Sequence, residues 1–286
     1  MVWTVPYAFN QFYADINLPG DHRALANTRK DWILRRIGTS LNILNSFPMG
    51  SIPRFTALKN HADLDVILVL HFGQHVKDKK PSVVLSDVKS ALGSGAGSVR
   101  RNGQAVTMKF ASWPDVDVVP ASRVTNDDGT ISHYNIPDMN REEWIKTKPN
   151  LHSRQMIDAA SERGANFRRV VKMMKEWNRR QAVTIQSYHL EVIALQMNVI
   201  DWDDTGWVVY QWFVKAETSL QWLWHESKDV AEYLSFERAL RAKSQITDAK
   251  NEAFMAWYKT SSGKDDHREA IRIWRSIFGN KFPTYG

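Results

Sequence analysis

The spacing of hydrophobic positions changes about halfway along the chain, and this change predicts two parts of different structure. Apolar side chains at helical spacing predict helices at 22–40 and 81–92. Short apolar or alternating runs, bounded by Asn-Gly and glycine-rich turns, predict strands at 66–70, within 99–110 and at 113–121. The first half is therefore expected to be mainly β.

The second half has the pattern of a helical protein. Three long stretches are apolar on one face and contain few turn signals, at 167–180, 187–200 and 207–227. We therefore predict an α+β, bilobed protein: a mixed β-sheet lobe with an N-terminal helix at 1–150, a helical lobe at 151–286, and a cleft between them.

Composition limits the chemistry that this fold can carry. The chain of 286 residues is 43% hydrophobic, which is enough for a sizeable core. No stretch approaches the roughly 18 consecutive apolar residues of a membrane helix, and the N-terminus lacks a basic segment followed by an apolar one. We therefore expect a cytoplasmic protein that does not associate with a membrane. It also has no cysteine, which leaves oxygen or imidazole as metal ligands. The net charge of +7 favours anionic partners such as nucleic acid, a lipid surface or polyphosphates.

Two aspartates stand at the start of the strand predicted at 66–70. Because side chains alternate in a strand, Asp63 and Asp65 share one face at a spacing of about 7 Å, while Leu64 and Val66 enter the core. Like charges this close repel each other, and Mg²⁺ with its preference for oxygen ligands is a suitable counterion. The alternative is an exposed strand end at which the aspartates face water.

Two further features favour the metal site. Gly50 and Ser51 form a turn in which the backbone and a hydroxyl can approach a phosphate. Asp115 and Asp117 alternate with buried valines on a strand that could lie beside the first. Three carboxylates from two neighbouring strands can hold two metal ions about 4 Å apart, which is an arrangement for activating a hydroxyl and stabilising a leaving pyrophosphate.

These motifs resemble a known family. Gly-Ser, eleven residues, Asp-Leu-Asp and a later VDVVPA strand are similar to the DNA-polymerase-β-type nucleotidyltransferases. The segments TKPNLHSRQM at 147–156 and MMKEWNRRQAVTIQSYHLEVIAL at 173–195 resemble, more narrowly, the bacterial cyclic-oligonucleotide synthases related to cyclic GMP-AMP synthase, the CD-NTases.

The resemblance implies roles for the residues of the β lobe. Gly50 and Ser51 would bind the donor triphosphate. Asp63, Asp65 and Asp117 would bind two Mg²⁺ ions, for which Mn²⁺ could substitute, and Asp117 would help to activate the attacking hydroxyl. Asp115 is the second choice for the third carboxylate.

The resemblance also implies substrate-binding residues in the helical lobe, which would complete the nucleotide pocket. Lys175 and Ser187 match positions that contact the β and γ phosphates, and Tyr188 matches one that stacks on a base. Each has an alternative: Lys175 as a surface charge, Ser187 as the N-cap of the following helix, and Tyr188 as a core residue. Glu191 is interpreted as a structural partner within its helix.

The implied activity is Mg²⁺-dependent condensation of nucleoside triphosphates into a cyclic di- or trinucleotide second messenger, with release of pyrophosphate. The implied setting is bacterial anti-phage (CBASS) signalling, in which a separate effector senses the product. We expect a monomer without a stable nucleic-acid partner, and the sequence identifies no activating protein. Two alternatives stay open: a non-cyclising nucleotidyltransferase that acts on RNA or a small acceptor, and a non-catalytic nucleotide- or RNA-binding module.

Other motifs are interpreted as structural. The glycine-rich stretch at 92–98 lacks the Lys-Ser/Thr of a phosphate-binding loop and is expected to be a mobile loop. The acidic segment at 201–206 lacks the ligands of a calcium loop and is expected to connect two helices. Base choice is expected to depend on a lid around 150–170, in which His152 and Asn166 could lie.

Overall fold

The computed structural model describes residues 2–18, 20–61, 63–100 and 103–286, except for the side chains of residues 21–23. Its contacts divide the chain into two compact units. One unit is Leu18–Arg154, and the other combines the residues up to Asn17 with Gln155–Gly286. The functional assignment of 1–150 and 151–286 stays a prediction, and the structure groups the N-terminal residues with the C-terminal ones.

A mixed sheet forms the centre of the unit Leu18–Arg154. Within the described residues it has seven strands, in the order β1-β2-β5-β4-β3, with β6 paired to the end of β5 and β7 paired to β6. The pair β2–β5 is parallel and the other pairs are antiparallel. The strands are β1 Ile43–Met49, β2 Leu64–Leu70, β3 Ala96–Val99, β4 Val106–Met108, β5 Val116–Thr125, β6 Ile131–Asp138 and β7 Glu143–Thr147.

Strand β2 is buried on both faces, as its nearly continuous apolar sequence requires. Leu64, Val66, Leu68 and Leu70 face a core that also contains apolar residues of the two main helices of this unit. On the opposite face, Ile67 and Val69 join a second core with residues of β5 and β6. On this second face the first position of β2 is Asp65, a carboxylate where the pattern otherwise places an aliphatic side chain.

The helices of this unit are α2 Asp21–Ile37, α3 Phe72–His75 and α4 Pro81–Leu92. Helix α4 has the predicted bounds, with proline in its first turn and Gly93 after its end. The expectation of a loop throughout 92–98 is wrong, because strand β3 begins at Ala96. The glycine-rich sequence does not by itself favour a strand, and β3 is held in place by its hydrogen bonds to β4.

Helices dominate the second unit. They are α1 Val5–Ile16, α5 Pro149–Glu162, which begins in the first unit, α6 Ala165–Arg179, α7 Ser187–Leu195, α8 Thr205–Ser219, α9 Phe236–Tyr258 and α10 His267–Phe278, followed by a 3₁₀ turn at Gly279–Lys281. Helix α1 belongs to this unit because Phe9 and Phe12 pack against Trp274, Phe278 and Phe282. None of the helices in the described parts of the chain is long and apolar enough to cross a membrane.

Two details of this unit bear on the sequence predictions. The helix predicted across 207–227 ends at Ser219, and a short hairpin of β8 Trp224–His225 and β9 Lys228–Asp229 follows. Its turn residues Glu226 and Ser227 have φ angles of 51° and 59°, which are incompatible with an α-helix. The acidic segment at 201–206 does connect two helices, because Asp204 caps the start of α8.

Candidate active site

Two of the predicted carboxylates meet at one end of the central strand pair. Asp65 of β2 and Asp117 of β5 are direct partners in the parallel register. The side chain of Asp65 is 15% exposed and that of Asp117 is 4% exposed. Asp63 lies just before β2 and is exposed. The pairing of β2 with β5 therefore brings together carboxylates that lie far apart in the sequence.

The predicted Gly-Ser turn lies next to this pair. Strand β1 ends at Met49, which is the register partner of Asp65, and Gly50 follows with a φ of 79°. A Cβ atom at position 50 would overlap the carboxylate oxygen Oδ2 of Asp65. Only glycine fits both the backbone conformation and the space, so the turn carrying Ser51 approaches the carboxylates closely.

A cation that the sequence analysis missed lies between the two carboxylates. The Arg100 side chain donates from Nη2 to Asp65 Oδ1 at 2.6 Å and from Nε to Asp117 Oδ2 at 2.6 Å. Arg100 lies at the end of β3, where its N–H donates to the carbonyl of Ala105 at 2.8 Å. On β4, Thr107 is the register partner of Asp117 and donates its hydroxyl to Oδ1 at 2.5 Å. The hairpin signal in SVRRNGQAVT could have indicated that both side chains lie beside the site.

The charges of the site depend on one another. Desolvation raises the pKa of Asp65, although the positive charge of Arg100 opposes this effect. The pKa of Asp63 is also raised, first by desolvation and then by the negative charges of Asp117 and Asp115. Burial alone would lower the pKa of Arg100, but the two carboxylates outweigh burial and raise it. The site therefore favours a cation.

The donor set fits a hard divalent ion by its chemistry. Asp63, Asp65 and Asp117 would be the ligands, and all three offer oxygen, the donor that Mg²⁺ prefers. Within the described ranges, no three histidine or acidic side chains are already arranged to hold a metal ion. Instead, the guanidinium of Arg100 neutralises the carboxylates of Asp65 and Asp117.

Asp115, the second choice for the third carboxylate, has a different local role. It precedes β5, and its Oδ1 accepts a hydrogen bond from the backbone N–H of Phe110 at 3.0 Å. Asp117, by contrast, is the aspartate that the register places beside Asp65. The geometry thus favours Asp117 over Asp115 as the partner of Asp65.

The helical unit contains the predicted phosphate-binding lysine in a buried position. Lys175 of α6 is 5% exposed, and its Nζ donates to Glu191 Oε1 of α7 at 2.7 Å. The alternative of a surface charge is therefore wrong. Glu191 is a structural partner, and its contact with Lys175 joins α7 to the neighbouring helix α6.

Ser187 and Tyr188 begin helix α7. Ser187 is exposed, and the N-cap of the helix is Gln186, without a side-chain capping bond, so the capping alternative is wrong. Tyr188 is half-buried, and its ring meets the imidazole of His225 edge-on at 6.1 Å between centroids. It is therefore not a fully buried core residue.

A pair missed by the sequence analysis, the buried His189 and the half-buried Tyr233, fixes the start of α7. His189 Nδ1 lies 3.1 Å from the hydroxyl of Tyr233, and that hydroxyl accepts the backbone N–H of Gln186 at 2.9 Å. His189 is completely buried, and desolvation lowers its pKa to about 4. A neutral imidazole and a tyrosine hydroxyl thus support the segment that carries Ser187.

The residues proposed for the base lid are in different environments. His152 is 9% exposed, while Asn166 is half-buried and donates to Asp203 Oδ1 at 3.4 Å. Their role in base choice stays a prediction.

A mixed sheet with paired strand aspartates beside a Gly-Ser turn is the arrangement expected of a nucleotidyltransferase with a polymerase-β-like fold. Residues 3–159 match the SMODS model, the Second Messenger Oligonucleotide or Dinucleotide Synthetase domain. Because this match covers more than half of the chain, the protein belongs to that family. The predicted family, α+β fold class and enzymatic nature are confirmed.

Individual relatives extend over most of the chain. A probable cyclic nucleotide synthase of Bacillus cereus (strain VD146) is 22% identical over 100% of this chain and 99% of its own. A cyclic AMP-AMP-AMP synthase of Acinetobacter is 26% identical over 84% of this chain and 73% of its own.

Solved structures show the same fold. Escherichia coli MS115-1 CdnC with ATP has a TM-score of 0.76 at 17% identity, covering 97% of this chain and 98% of that one. CdnC from the same source in complex with HORMA-deltaN has a TM-score of 0.77 at 17% identity, with the same coverage. Vibrio cholerae DncV cyclic AMP-GMP synthase has a TM-score of 0.61 at 14% identity, covering 84% of this chain and 70% of that one.

Proposed function

We propose that this nucleotidyltransferase condenses nucleoside triphosphates into a cyclic di- or trinucleotide second messenger and releases pyrophosphate. The observation that carries the proposal is the register pairing of Asp65 with Asp117 beside the Gly50 turn. The family match supports oligonucleotide or dinucleotide synthesis, and two relatives are named as cyclic nucleotide synthases.

The β-sheet unit would carry the chemistry. The backbone of Gly50 and the hydroxyl of Ser51 would bind the donor triphosphate. A ribose hydroxyl attacks the α phosphorus of the donor triphosphate. The bond between this phosphorus and the oxygen that links it to the β phosphate breaks, and pyrophosphate leaves. Two Mg²⁺ or Mn²⁺ ions held by Asp63, Asp65 and Asp117 would supply activation of the hydroxyl and neutralisation of the leaving group. Asp117, oriented by the Thr107 hydroxyl, would face the attacking hydroxyl.

The helical unit carries the other proposed substrate-binding residues. The amide end of α7 and the exposed hydroxyl of Ser187 suit a phosphate group. Lys175 would add positive charge toward the β and γ phosphates, with Glu191 fixing its position. Tyr188 would offer its ring to a base, and a tyrosine face accepts any base.

The proposed setting is anti-phage signalling in the bacterial cytoplasm, where a separate effector senses the product. A basic protein with a net charge of +7 suits nucleoside triphosphates as substrates. We propose that the protein is a monomer without a stable nucleic-acid partner.

The test is incubation with labelled ATP, GTP, CTP and UTP plus Mg²⁺, followed by phosphatase treatment and mass spectrometry. We expect a phosphatase-resistant cyclic product. The variants Asp63→Asn and Asp65→Asn should abolish turnover and keep the fold. Asp127→Asn, the same change at an exposed turn position, should retain it.

The other outcomes separate the alternatives. Linear or acceptor-linked products would indicate a non-cyclising nucleotidyltransferase. Nucleotide binding without turnover would indicate a binding module. Full activity in the Asp65→Asn variant would overturn the site assignment.

A further inference from the structure

The guanidinium of Arg100 occupies the position between the two paired carboxylates. Its Nη2 lies 2.6 Å from Asp65 Oδ1 and 2.5 Å from Asp117 Oδ2, and its Nε donates to the same Asp117 oxygen at 2.6 Å. The Arg100 side chain is 32% exposed, so one side of this ion-pair cluster remains open to solvent. These are short, charge-assisted contacts.

The same oxygens are the ones that a metal ion would need. Mg²⁺ binds carboxylate oxygens at about 2.0–2.1 Å, so an ion bridging Asp65 and Asp117 would lie against the guanidinium nitrogens. Two cations this close repel each other, and the repulsion is strong where burial keeps water away. The guanidinium and the metal ion therefore cannot use these oxygens together.

The guanidinium of Arg100 can move away from the two carboxylates while its backbone stays in place. Its backbone is fixed in the hairpin, because its N–H donates to the carbonyl of Ala105 and its carbonyl accepts the N–H of Gly103, both at 2.8 Å. The side chain is long and half-exposed, so a change of rotamer can move the guanidinium while the strand stays in place. A displaced guanidinium would stay beside the proposed triphosphate site, where its fork geometry suits phosphate oxygens.

We propose that Arg100 is a built-in counter-cation: it holds Asp65 and Asp117 together in the substrate-free protein and is displaced when the metal ion and nucleotide bind. Arg100 is thus a positioning residue that acts through the two aspartates and weakens metal binding in the absence of nucleotide. The inference rests on the proposed function, because it assumes that these aspartates are metal ligands.

Mn²⁺ binding to the nucleotide-free protein tests this inference directly. We would titrate Mn²⁺ into the wild type and the Arg100→Gln variant and measure the concentration of free Mn²⁺ by electron paramagnetic resonance. The matched control is Arg123→Gln, which removes the same charge from an exposed position at the far end of β5. We expect Arg100→Gln to bind Mn²⁺ about tenfold more tightly than the wild type, because a charge-assisted ion pair no longer competes. Arg123→Gln should match the wild type.

A second variant and a second readout keep the test decisive. Arg100→Lys retains the charge without the fork, so its affinity should lie between those of the wild type and Arg100→Gln. In wild-type protein with ¹⁵N-labelled arginine, the Nε–H signal of Arg100, assigned with Arg100→Lys, should shift on addition of Mg²⁺ with nucleotide. Circular dichroism checks the fold of each variant, and Arg100→Lys replaces Arg100→Gln if the latter does not fold.

The outcomes separate the two proposals. Equal or weaker Mn²⁺ binding by Arg100→Gln, or an unchanged Arg100 signal, would overturn the counter-cation role and leave the metal site standing. Absence of Mn²⁺ binding in every protein would overturn both the counter-cation role and the metal-site assignment.

Discussion

The buried His189 makes the stability of the helical unit depend on pH in a predictable direction. Its imidazole is completely buried, and desolvation lowers its pKa from 6.5 to about 4, although the negative charge of Asp229 opposes this effect. In the unfolded chain the same side chain takes up a proton near its ordinary pKa. Between these two pH values, the unfolded state therefore binds more protons than the folded state.

The sign and size of the effect follow from this difference. The contribution of His189 to the free energy of unfolding is fully present above pH 6.5. It is lost as the pH falls toward 4, because protons then bind to the unfolded chain and stabilise it. Linkage between these two pKa values gives a loss of about 2 kcal/mol near pH 5 and about 3 kcal/mol at still lower pH.

Urea unfolding of the wild type and His189→Asn checks this value. Asparagine keeps an acceptor for the Tyr233 hydroxyl but does not titrate, and the cost of the smaller side chain is the same at each pH. Tryptophan fluorescence reports mainly on the helical unit, which contains nine of the twelve tryptophans, including the buried Trp177 and Trp212. Between about pH 7.5 and about pH 5, the wild type should lose about 2 kcal/mol more than the variant. An equal loss in both proteins would refute the reasoning.

Three further variants test individual contacts. Glu191→Gln removes the carboxylate that pairs with the buried Lys175 ammonium and should lower the free energy of unfolding in urea by about 3–5 kcal/mol. Changing both Lys175 and Glu191 to Met should recover more than half of this loss. A loss below about 1 kcal/mol in Glu191→Gln would contradict the importance of the pair. Asp115→Asn keeps an acceptor oxygen and should retain pyrophosphate release within about threefold, and complete loss of release would make Asp115 a ligand. Gly50→Ala places a methyl group against the Asp65 carboxylate in a left-handed backbone position, so it should cost about 1–3 kcal/mol and lower turnover about a hundredfold; wild-type kinetics would contradict the close approach.

Local sequence patterns were sufficient to predict the helices and strands whose formation depends on neighbouring residues. Helix α4 was predicted with its bounds because proline, an apolar stripe and glycine mark its start, body and end. Strand β2 was predicted because its apolar run is bounded by turns. The Gly-Ser and Asp-Leu-Asp spacing, which lies within one short segment, indicated the nucleotidyltransferase superfamily, and the segments at 147–156 and 173–195 indicated the narrower family.

The missed features depend on contacts between distant segments. Strand β3 forms in a glycine-rich segment because β4 pairs with it. Arg100 reaches Asp65 and Asp117 only through the pairing of four strands, β3, β4, β5 and β2, which no local pattern specifies. His189 stands in a helix beside Ser187, but its partner Tyr233 is more than forty positions away in the sequence.

The parallel pairing of β2 with β5 has a consequence for how the enzyme is made. Asp65 and Asp117 are about fifty positions apart, and parallel strands can join only after the intervening segment has folded back. A nascent chain therefore carries Asp65 for some time as an ordinary hydrated carboxylate. The non-local step that closes the sheet, a slow kind of step in folding, also buries this aspartate beside its partner. Because one step completes both the sheet and the carboxylate pair, a chain that stalls before it lacks the proposed catalytic site.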